Sequence, residues 1–403
     1  MTEFKKYKLG DICDLNKNSL KVSDTFDTIE YLDTSSITEN TIDSFQNFSR
    51  EDAPSRAQRK VQNETIIFST VRPNQNHFGL IQNPKTNLIV SSGFTTLDVK
   101  DKIEFDAKYL YYNLTQPSVV NFLQTLAQNS VSAYPSINPD DIGNLYLRFP
   151  EVSTQKKIAS VLSNIDRKIS VNREINRNLE ELAKLIYDYW FVQFDFPNEE
   201  GKPYKSSGGK MVWNEILNRK IPDGWEVKLL KDIIEIKRGI TITEKQTTSG
   251  TIKVVAAGLT YSYLHGESNR TPNCITVSGS GANAGFVNFW REPIFASDCS
   301  TIQFDNDIDT ILCYHTLKKQ EKRFYQISHK SAQPHILPSD IGEIPMIIPS
   351  NSIKERISQF FIKTNKQIAE NTKELEHLSS LRDNLLPLLM NGQVTLNSCL
   401  SAD

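Results

Sequence analysis

Tyr134-Pro135-Ser136-Ile137-Asn138-Pro139-Asp140-Asp141-Ile142-Gly143 returns later in the chain as Gln333-Pro334-His335-Ile336-Leu337-Pro338-Ser339-Asp340-Ile341-Gly342, an offset of 199 between positions 143 and 342. In the same ungapped register Pro150 meets Pro349, Ile158 meets Ile357, Ile169 meets Ile368, Asn172 meets Asn371, Leu179 meets Leu378 and Leu182 meets Leu381. Matches strung along one register point to an internal duplication. The starts of the halves also correspond, at a different offset: Leu9-Gly10-Asp11-Ile12-Cys13-Asp14-Leu15 beside Leu230-Lys231-Asp232-Ile233-Ile234-Glu235-Ile236. Between start and end the halves diverge. The order is variable block, shared block, variable block, shared block, which suggests one scaffold presenting two different surfaces.

The shared blocks read as long helices. Residues 154–190 contain neither Pro nor Gly. Apolar residues recur at Ile158, Leu162, Ile165, Ile169, Ile175, Leu179, Leu182, Ile186 and Tyr189, in steps of four and three with one break near Asn172. That spacing is a coiled-coil seam, and at 1.5 Å per residue such a helix is on the order of 55 Å long. The second copy, 352–386, carries Ile357, Phe361, Ile368, Leu375, Leu378, Leu381 and Leu385, and Pro387 is expected to end or kink it. Ser153 and Ser352 stand where N-caps are expected. Neither stripe can be buried by its own helix. The two helices are expected to pack antiparallel on each other, as duplicated units tend to associate with two-fold symmetry, which would place the variable blocks at opposite ends. Two separate hairpins, each packed on its own domain, are the alternative. Asn172 and Asn371 share a seam position, where a polar residue can fix register; an exposed Asn beside a stutter is the other reading.

The variable blocks, 1–150 and about 212–350, are rich in short runs such as Thr65-Ile66-Ile67-Phe68-Ser69 and Cys274-Ile275-Thr276-Val277-Ser278, separated by turn residues. They read as strands of α+β domains. The expected organisation is a variable block at 1–150, a long helix at 151–196, a linker at 197–224, a second variable block at 225–350, a second long helix at 351–392 and a tail at 393–403. The stretch from Pro197 onward, with Gly201, Pro203, Ser206, Ser207, Gly208 and Gly209, is expected to be exposed and little structured.

Two loops follow equivalent strands: Ser69-Thr70-Val71-Arg72-Pro73-Asn74-Gln75-Asn76-His77-Phe78-Gly79 and Ser278-Gly279-Ser280-Gly281-Ala282-Asn283-Ala284-Gly285-Phe286. Arg, Asn and Gln are the side chains that make paired bonds to guanine and adenine edges, and glycines let a backbone approach phosphate. A strand-like run, Phe286-Val287-Asn288-Phe289-Trp290, follows the second loop, where a dinucleotide fingerprint would need a helix. Basic residues cluster at Arg56, Arg59, Lys60 and Arg72, and at Lys318, Lys319, Lys322, Arg323 and Lys330. Polar segments precede each long helix. The candidate DNA-contacting residues are therefore Arg56, Arg59, Lys60, Ser69, Arg72, Asn74, Gln75, Asn76, His77, Ser132 and Tyr134 in the first half, with Ser278, Ser280, Asn283, Lys330, Ser331, Gln333 and His335 in the second. Plain hairpin loops and solvated charge runs are the alternative for these segments.

Lys and Arg number 46 against 48 Asp and Glu, a formal charge of −2 over 403 residues. This argues mildly against a lone nucleic-acid binder, although the local field and not the net charge attracts phosphate. The five cysteines are widely spaced with no CxxC pair, so neither a zinc site nor a disulfide framework is indicated. No apolar run is long enough to span a bilayer and the N-terminus lacks a secretory core, from which a cytoplasmic location is expected. Catalytic signatures are missing. There is no Asn-Pro-Pro-aromatic or Pro-Cys motif, no Gly-Lys-Ser/Thr phosphate loop and no paired histidine motif. Pro222-Asp223 and Glu226-Val227-Lys228 imitate a nuclease pattern but lie too close together to occupy separate strands of one metal site.

Ala183-Lys184-Leu185-Ile186-Tyr187-Asp188-Tyr189-Trp190-Phe191-Val192-Gln193-Phe194-Asp195-Phe196-Pro197, continued by Gly208-Gly209-Lys210-Met211-Val212-Trp213 and Ile221-Pro222-Asp223-Gly224-Trp225-Glu226-Val227, resembles the central conserved region of type I restriction-modification specificity subunits. The helix entries at Pro150 and Pro349 resemble that family too, and the resemblance covers essentially the whole chain. It implies two target recognition domains, each reading one half of a bipartite, asymmetric site on double-stranded DNA, held apart by the paired helices. It also implies two methyltransferase subunits using S-adenosylmethionine, and two motor-nuclease subunits using ATP and Mg. No cofactor and no chemistry are expected in this chain. A specificity chain of a related fused nuclease-methyltransferase system, or a coiled-coil adaptor without DNA contact, are the competing readings.

Overall fold

A computed structural model describes residues 3–129, 134–328 and 334–394. The chain divides into two compact units, Met1–Val171 with Leu375–Asp403, and Asn172–Glu374. The division cuts through both long helices, so each unit contains part of each.

In the first unit, strands Cys13–Leu15, Phe94–Val99, Ile66–Ser69 and Phe78–Leu80 form one antiparallel sheet in that order. All six residues of Phe94–Val99 are buried, as expected of a strand with neighbours on both sides. A second sheet runs Gln46–Ser49, Thr28–Leu32, Leu88–Ser91, Ala57–Lys60, with its two central strands parallel. Lys5–Lys8 pairs with Tyr146–Phe149, joining the two ends of the block. Helices Ala107–Leu114 and Pro117–Gln128 follow; the Asp106 carboxylate caps the first by accepting from the Tyr109 amide at 2.9 Å.

The second unit repeats this plan although its middle sequence is unlike the first. Lys237–Arg238, Cys299–Ile302, Cys274–Ser278 and Val287–Trp290 form the antiparallel sheet. Ile252–Val255 lies parallel to Ile294–Ala296 in the second sheet. Glu226–Leu229 pairs with Pro345–Ile348, and helices Asp307–Lys318 and Glu321–Ser328 follow. The repeated decapeptide forms a short helix in each unit, Pro139–Gly143 and Pro338–Gly342. The Asp141 carboxylate accepts from the Asn138 amide at 2.7 Å and Asp340 from Leu337 at 2.8 Å.

Residues 197–224 are not the unstructured linker expected from composition. Met211–Asn214 and Arg219–Pro222 form a hairpin. Tyr204 stacks on Phe196 at 4.6 Å, and Phe196 on Trp225 at 5.0 Å. The Asp195 carboxylate accepts from both the amide and the hydroxyl of Ser206 at 2.7 Å. Gly201 and Gly208 take left-handed φ of 76° and 88°, so the turn residues build tight bends that fold the segment onto aromatic rings.

The long helices are Val152–Tyr187, which runs into a π-helical turn at Asp188–Val192, and Asn351–Met390, which carries Pro387 in its last turn without ending there. Ser153 and Ser352 lie inside the first turns and do not cap them. In the second unit Asn172 Nδ2 donates to Glu374 Oε2 at 2.8 Å, Asn371 Nδ2 to Asn176 Oδ1 at 2.9 Å and Asn176 Nδ2 to Thr372 Oγ1 at 3.3 Å. Position rises on one helix as it falls on the other, so the helices are antiparallel. In the first unit Ile158, Ala159 and Leu162 share a buried cluster with Leu386, Leu389 and Met390, while Asp166 meets Arg382.

The heptad does not break at Asn172. It steps Ile158, Leu162, Ile165, Ile169, Asn172, Asn176, Leu179, Ala183 on the first helix, all buried or half-buried. On the second it steps Ile357, Phe361, Thr364, Ile368, Asn371, Leu375, Leu378, Arg382. Leu182 and Leu381, expected in the seam, lie one position off it and are 43% and 37% exposed; Ile175 is 39% exposed. Hydrophobicity misleads here because the seam admits Asn176, Ala183 and Arg382 while apolar neighbours face outward. Asn172 and Asn371 are buried with their amides bonded. No helix among the described residues is long and apolar enough to cross a membrane.

Two outcomes are expected. Leu162→Ala, at a fully buried seam position, costs about 2–5 kcal/mol, while Leu182→Gln stays within about 0.5 kcal/mol; urea unfolding distinguishes them, and equal losses contradict the register. In the second unit His315 is buried against Tyr187, Tyr314 and Phe361 at 5.1, 5.2 and 5.5 Å. Burial lowers its pKa from 6.5 to about 4. The unfolded chain takes up this proton first as pH falls, so stability is full above pH 6.5 and declines toward pH 4, by at most about 3 kcal/mol from this group. His315→Phe keeps the stacking and is expected to flatten that part of the decline in unfolding midpoints measured at pH 4.5 and 7.5.

Candidate nucleic-acid interface

The first loop leaves strand Ile66–Ser69 and turns through a short helical bend, Pro73–Gln75. Arg72 and Asn76, on either side of the bend, take left-handed φ of 48° and 56°. Non-glycine residues in that region cost on the order of 1–2 kcal/mol each, so the surrounding contacts must hold them. The Arg72 amide donates to the Pro135 carbonyl at 2.9 Å and the Ile137 amide to the Thr70 carbonyl at 2.9 Å, with Val71 bridging Ser136. The Asn74 amide donates to Gln124 Oε1 at 3.2 Å. The result is a firm backbone from which Arg72, Asn74 and Gln75 project exposed. The Arg72 guanidinium lies over the exposed Tyr134 ring at 5.2 Å, which limits its rotamers. Asn76 Nδ2 donates to Glu39 Oε1 at 2.9 Å, and His77 Nδ1 lies 2.6 Å from the Ile37 carbonyl.

The second loop is secured by the same bonds. The Gly281 amide donates to the Pro334 carbonyl at 3.2 Å, the Ile336 amide to the Gly279 carbonyl at 3.0 Å, and Ser280 bridges His335. Pro135 and Ile137 correspond to Pro334 and Ile336 in the duplication. Each loop is therefore laced by its backbone to the segment that opens the repeated decapeptide. The side chains displayed differ. Here the bend is Gly281–Asn283, with Gly281 at φ 74°. Ser280 Oγ donates to Asp298 Oδ2, Asn283 is half-buried and His335 is exposed.

Not all sequence candidates join these loops. Ser69 and Ser278 are buried, with hydroxyls donated to the Val71 carbonyl at 3.0 Å and the Gly258 carbonyl at 3.4 Å; they close strand ends and are not displayed. Arg59 and Lys60 sit on strand Ala57–Lys60, where Arg59 Nη1 donates to Ser19 Oγ at 3.4 Å and Lys60 pairs with Asp24 at 2.5 Å. Arg56 is exposed, its carbonyl accepting from the Ser92 amide at 2.7 Å beside Gly93, whose carbonyl accepts from Thr70 at 2.9 Å. Lys318 pairs with Glu321 at 2.7 Å and Lys319 with Asp188 at 2.5 Å. Ser132, Lys330, Ser331 and Gln333 lie outside the described residues. Glu39, Gln124 and Asp298 were not foreseen; they reach the loops from distant sequence and no local motif marks them.

Among the described residues no group of His, Cys, Asp and Glu is arranged to hold a metal ion. Cys13, Cys274 and Cys299 are buried free thiols, each pushed up to about 12 by burial. The arrangement is suited to recognition: guanidinium and carboxamide groups on a fixed backbone can meet base edges in a groove, while the glycine amides of the second loop are bonded within the protein.

Comparison with known proteins bears on the family and the fold. A family model for the type I restriction modification DNA specificity domain matches residues 1–181 and 222–379. The HindI type I restriction enzyme specificity subunit of Haemophilus influenzae is 22% identical over 98% of this chain and 100% of its own. The MjaIX specificity subunit of Methanocaldococcus jannaschii is 23% identical over 82% of this chain and 77% of its own. The crystal structure of a type I restriction-modification system S subunit from M. genitalium superposes with a TM-score of 0.63 at 19% identity, covering 96% of each chain; at that identity the likeness speaks for the fold.

The second loop's glycines separate by their surroundings. Gly285 has φ 91° and an added Cβ would lie 2.5 Å from Phe324 Cβ, whereas Gly281 at φ 74° meets nothing. Gly285→Ala is expected to destabilise by about 2 kcal/mol or more, Gly281→Ala by about 1 kcal/mol, as read from thermal unfolding. The reverse order contradicts the packing of this loop.

Proposed function

Because the chain belongs to the type I restriction-modification DNA specificity family, we propose that each unit reads one half of a bipartite, asymmetric target on double-stranded DNA through the loop that follows its central strand. The observation that carries this is the recurrence of one backbone lacing beneath two unlike sets of side chains. Arg72, Asn74, Gln75 and Tyr134 belong to the first reader, with Asn76 and His77 beside them. Ser280, Asn283 and His335 belong to the second. A shared frame with different displayed groups is what reading two different half-sites requires.

The helix pair sets the length of unread DNA between the half-sites. It also docks the methyltransferase subunits, and the outward apolar residues Ile175, Leu182, Leu185 and Tyr189 support that role: they recur at near-heptad spacing on a helix whose own seam is already satisfied. Two methyltransferase subunits using S-adenosylmethionine supply methylation. Two motor-nuclease subunits using ATP and Mg supply cleavage. This chain contributes address and no chemistry.

The test is an exchange of residues 1–150 for the corresponding block of a relative, in cells that also carry the methyltransferase partner. Motif calling on methylated genomic DNA is expected to show one half of the target changed and the other half, with the spacer, preserved. Changes in both halves overturn independent reading. A chain that directs no sequence-specific methylation in any form favours an adaptor without DNA contact.

A further inference from the structure

We propose that Glu39 is a positioning residue for the first reading loop: it grips Asn76 from one side and the guanidinium of Arg382 from the other, and so references the loop to the helix pair within its own unit. The proposal rests on the reading of that loop as a DNA reader. Glu39 and Asn40 form the tip of a two-residue hairpin between Ile37–Thr38 and Thr41–Ile42. Both take positive φ, 45° and 64°. Such a turn favours Asn-Gly or Asp-Gly; Glu at its first position is strained, and strain retained at one residue calls for a role. The side chain supplies one. Glu39 Oε1 accepts from Asn76 Nδ2 at 2.9 Å, its amide donates to the Asn76 carbonyl at 2.9 Å, and Oε2 lies 3.6 Å from Arg382 Nη2.

Arg382 occupies a seam position of the second long helix. Its Nη1 meets Asp166 on the first helix at 3.4 Å and its Nη2 meets Asp383 at 2.9 Å, while Tyr112 donates to the other Asp166 oxygen at 2.6 Å. Burial alone would weaken the guanidinium's charge, but Asp166, Asp383 and Glu39 outweigh it and hold its pKa above the ordinary arginine value. The hub is charged, half-buried at Arg382 and Asp166 and joined to both helices, an anchor for a side chain. In the second unit Ala183 stands at the position corresponding to Arg382, and a cavity of about 620 Å³ opens beside it, against about 290 Å³ next to Arg382. The duplication has thus diverged at this point, which fits a device that serves one reader.

Because one N–H of Asn76 Nδ2 is held by Glu39, the carboxamide's orientation is set, and its Oδ1 and second N–H are left to face a partner. Removing Glu39 frees the carboxamide to rotate and relaxes the loop's left-handed end. The experiment uses the full chain with its methyltransferase partner and measures competition by duplexes carrying single base changes in either half-site. Glu39→Ala is expected to lower discrimination in the first half-site about tenfold, the scale of one misplaced base contact, and to leave the second half-site unchanged, which also shows the protein is folded. In the double variant with Asn76→Ala, Glu39→Ala is expected to add nothing to Asn76→Ala alone, since one residue acts through the other. Glu39→Gln, which keeps an acceptor for Asn76 and loses the ionic hold on Arg382, is expected to fall between. Additive effects, or first-half discrimination unchanged in Glu39→Ala while Asn76→Ala lowers it, overturn the positioning role alone. No effect from Asn76→Ala overturns the loop as a reader at that residue, and the proposal with it.

Discussion

Burial of the helix seam is the constraint on which the remainder depends. A 36-residue and a 40-residue helix each carry an apolar stripe that neither can cover alone, and an isolated helix gains little from propensity compared with tertiary packing. In each unit the stripe is covered by the other long helix and by the core of the recognition block. Apolar contact by itself leaves register weakly specified, since one heptad resembles the next. The buried amides of Asn172 and Asn371 remove that degeneracy. Slipping by a heptad would strand Asn172 away from Glu374 and Asn371 away from Asn176, leaving desolvated polar groups unpaired at about 1–3 kcal/mol each.

The second constraint is that the readers must differ while their frame stays the same. Side-chain contacts cannot do this, because the side chains are what changes. Backbone bonds can. The carbonyls of Thr70 and Gly279 accept from Ile137 and Ile336, and the amides of Arg72 and Gly281 donate to Pro135 and Pro334; none of these four bonds depends on the identity of the loop residue that makes it. The other partner of each bond, an acceptor in two and a donor in two, lies in the repeated decapeptide, where the two halves remain alike. Divergence in the middle of each block and similarity at its end are therefore two sides of one arrangement.

How much of this is legible in the sequence follows from which interactions are local. The duplication, the two α+β blocks and the long helices rest on period and spacing, and the ungapped match from Pro150 to Leu182 displays them directly. The seam was legible in its well-filled part, Ile158 to Asn172. Beyond Asn172, Leu179 still marks it, but Ile175 and Leu182 are more apolar than the seam residues Asn176 and Ala183, and heptad phase, not hydrophobicity, decides which residue faces the partner helix. Gly208 and Gly209 suggested a loose linker because turn-forming composition does not say whether a turn docks on aromatic rings. Ser69 and Ser278 had the right type and place for recognition but sit at buried strand ends, which composition does not show.

The least legible feature is the one that distinguishes the two readers. Glu39 lies 37 residues from its partner Asn76, and Arg382 arrives from the far end of the chain, at a position where the register pairs it with Ala183. A duplication invites the expectation that equivalent positions do equivalent work, and the backbone lacing obeys it. Arginine against alanine departs from it: one unit places a guanidinium among Asp166, Asp383 and Glu39, while the other leaves a cavity beside His315 and Tyr187. Once two copies of a frame hold different loops, selection on each copy is separate, and the contacts behind the loop diverge as freely as the loop itself. The shared blocks therefore report how a reader is mounted, and only the contacts made across long sequence separations report how each reader is aimed.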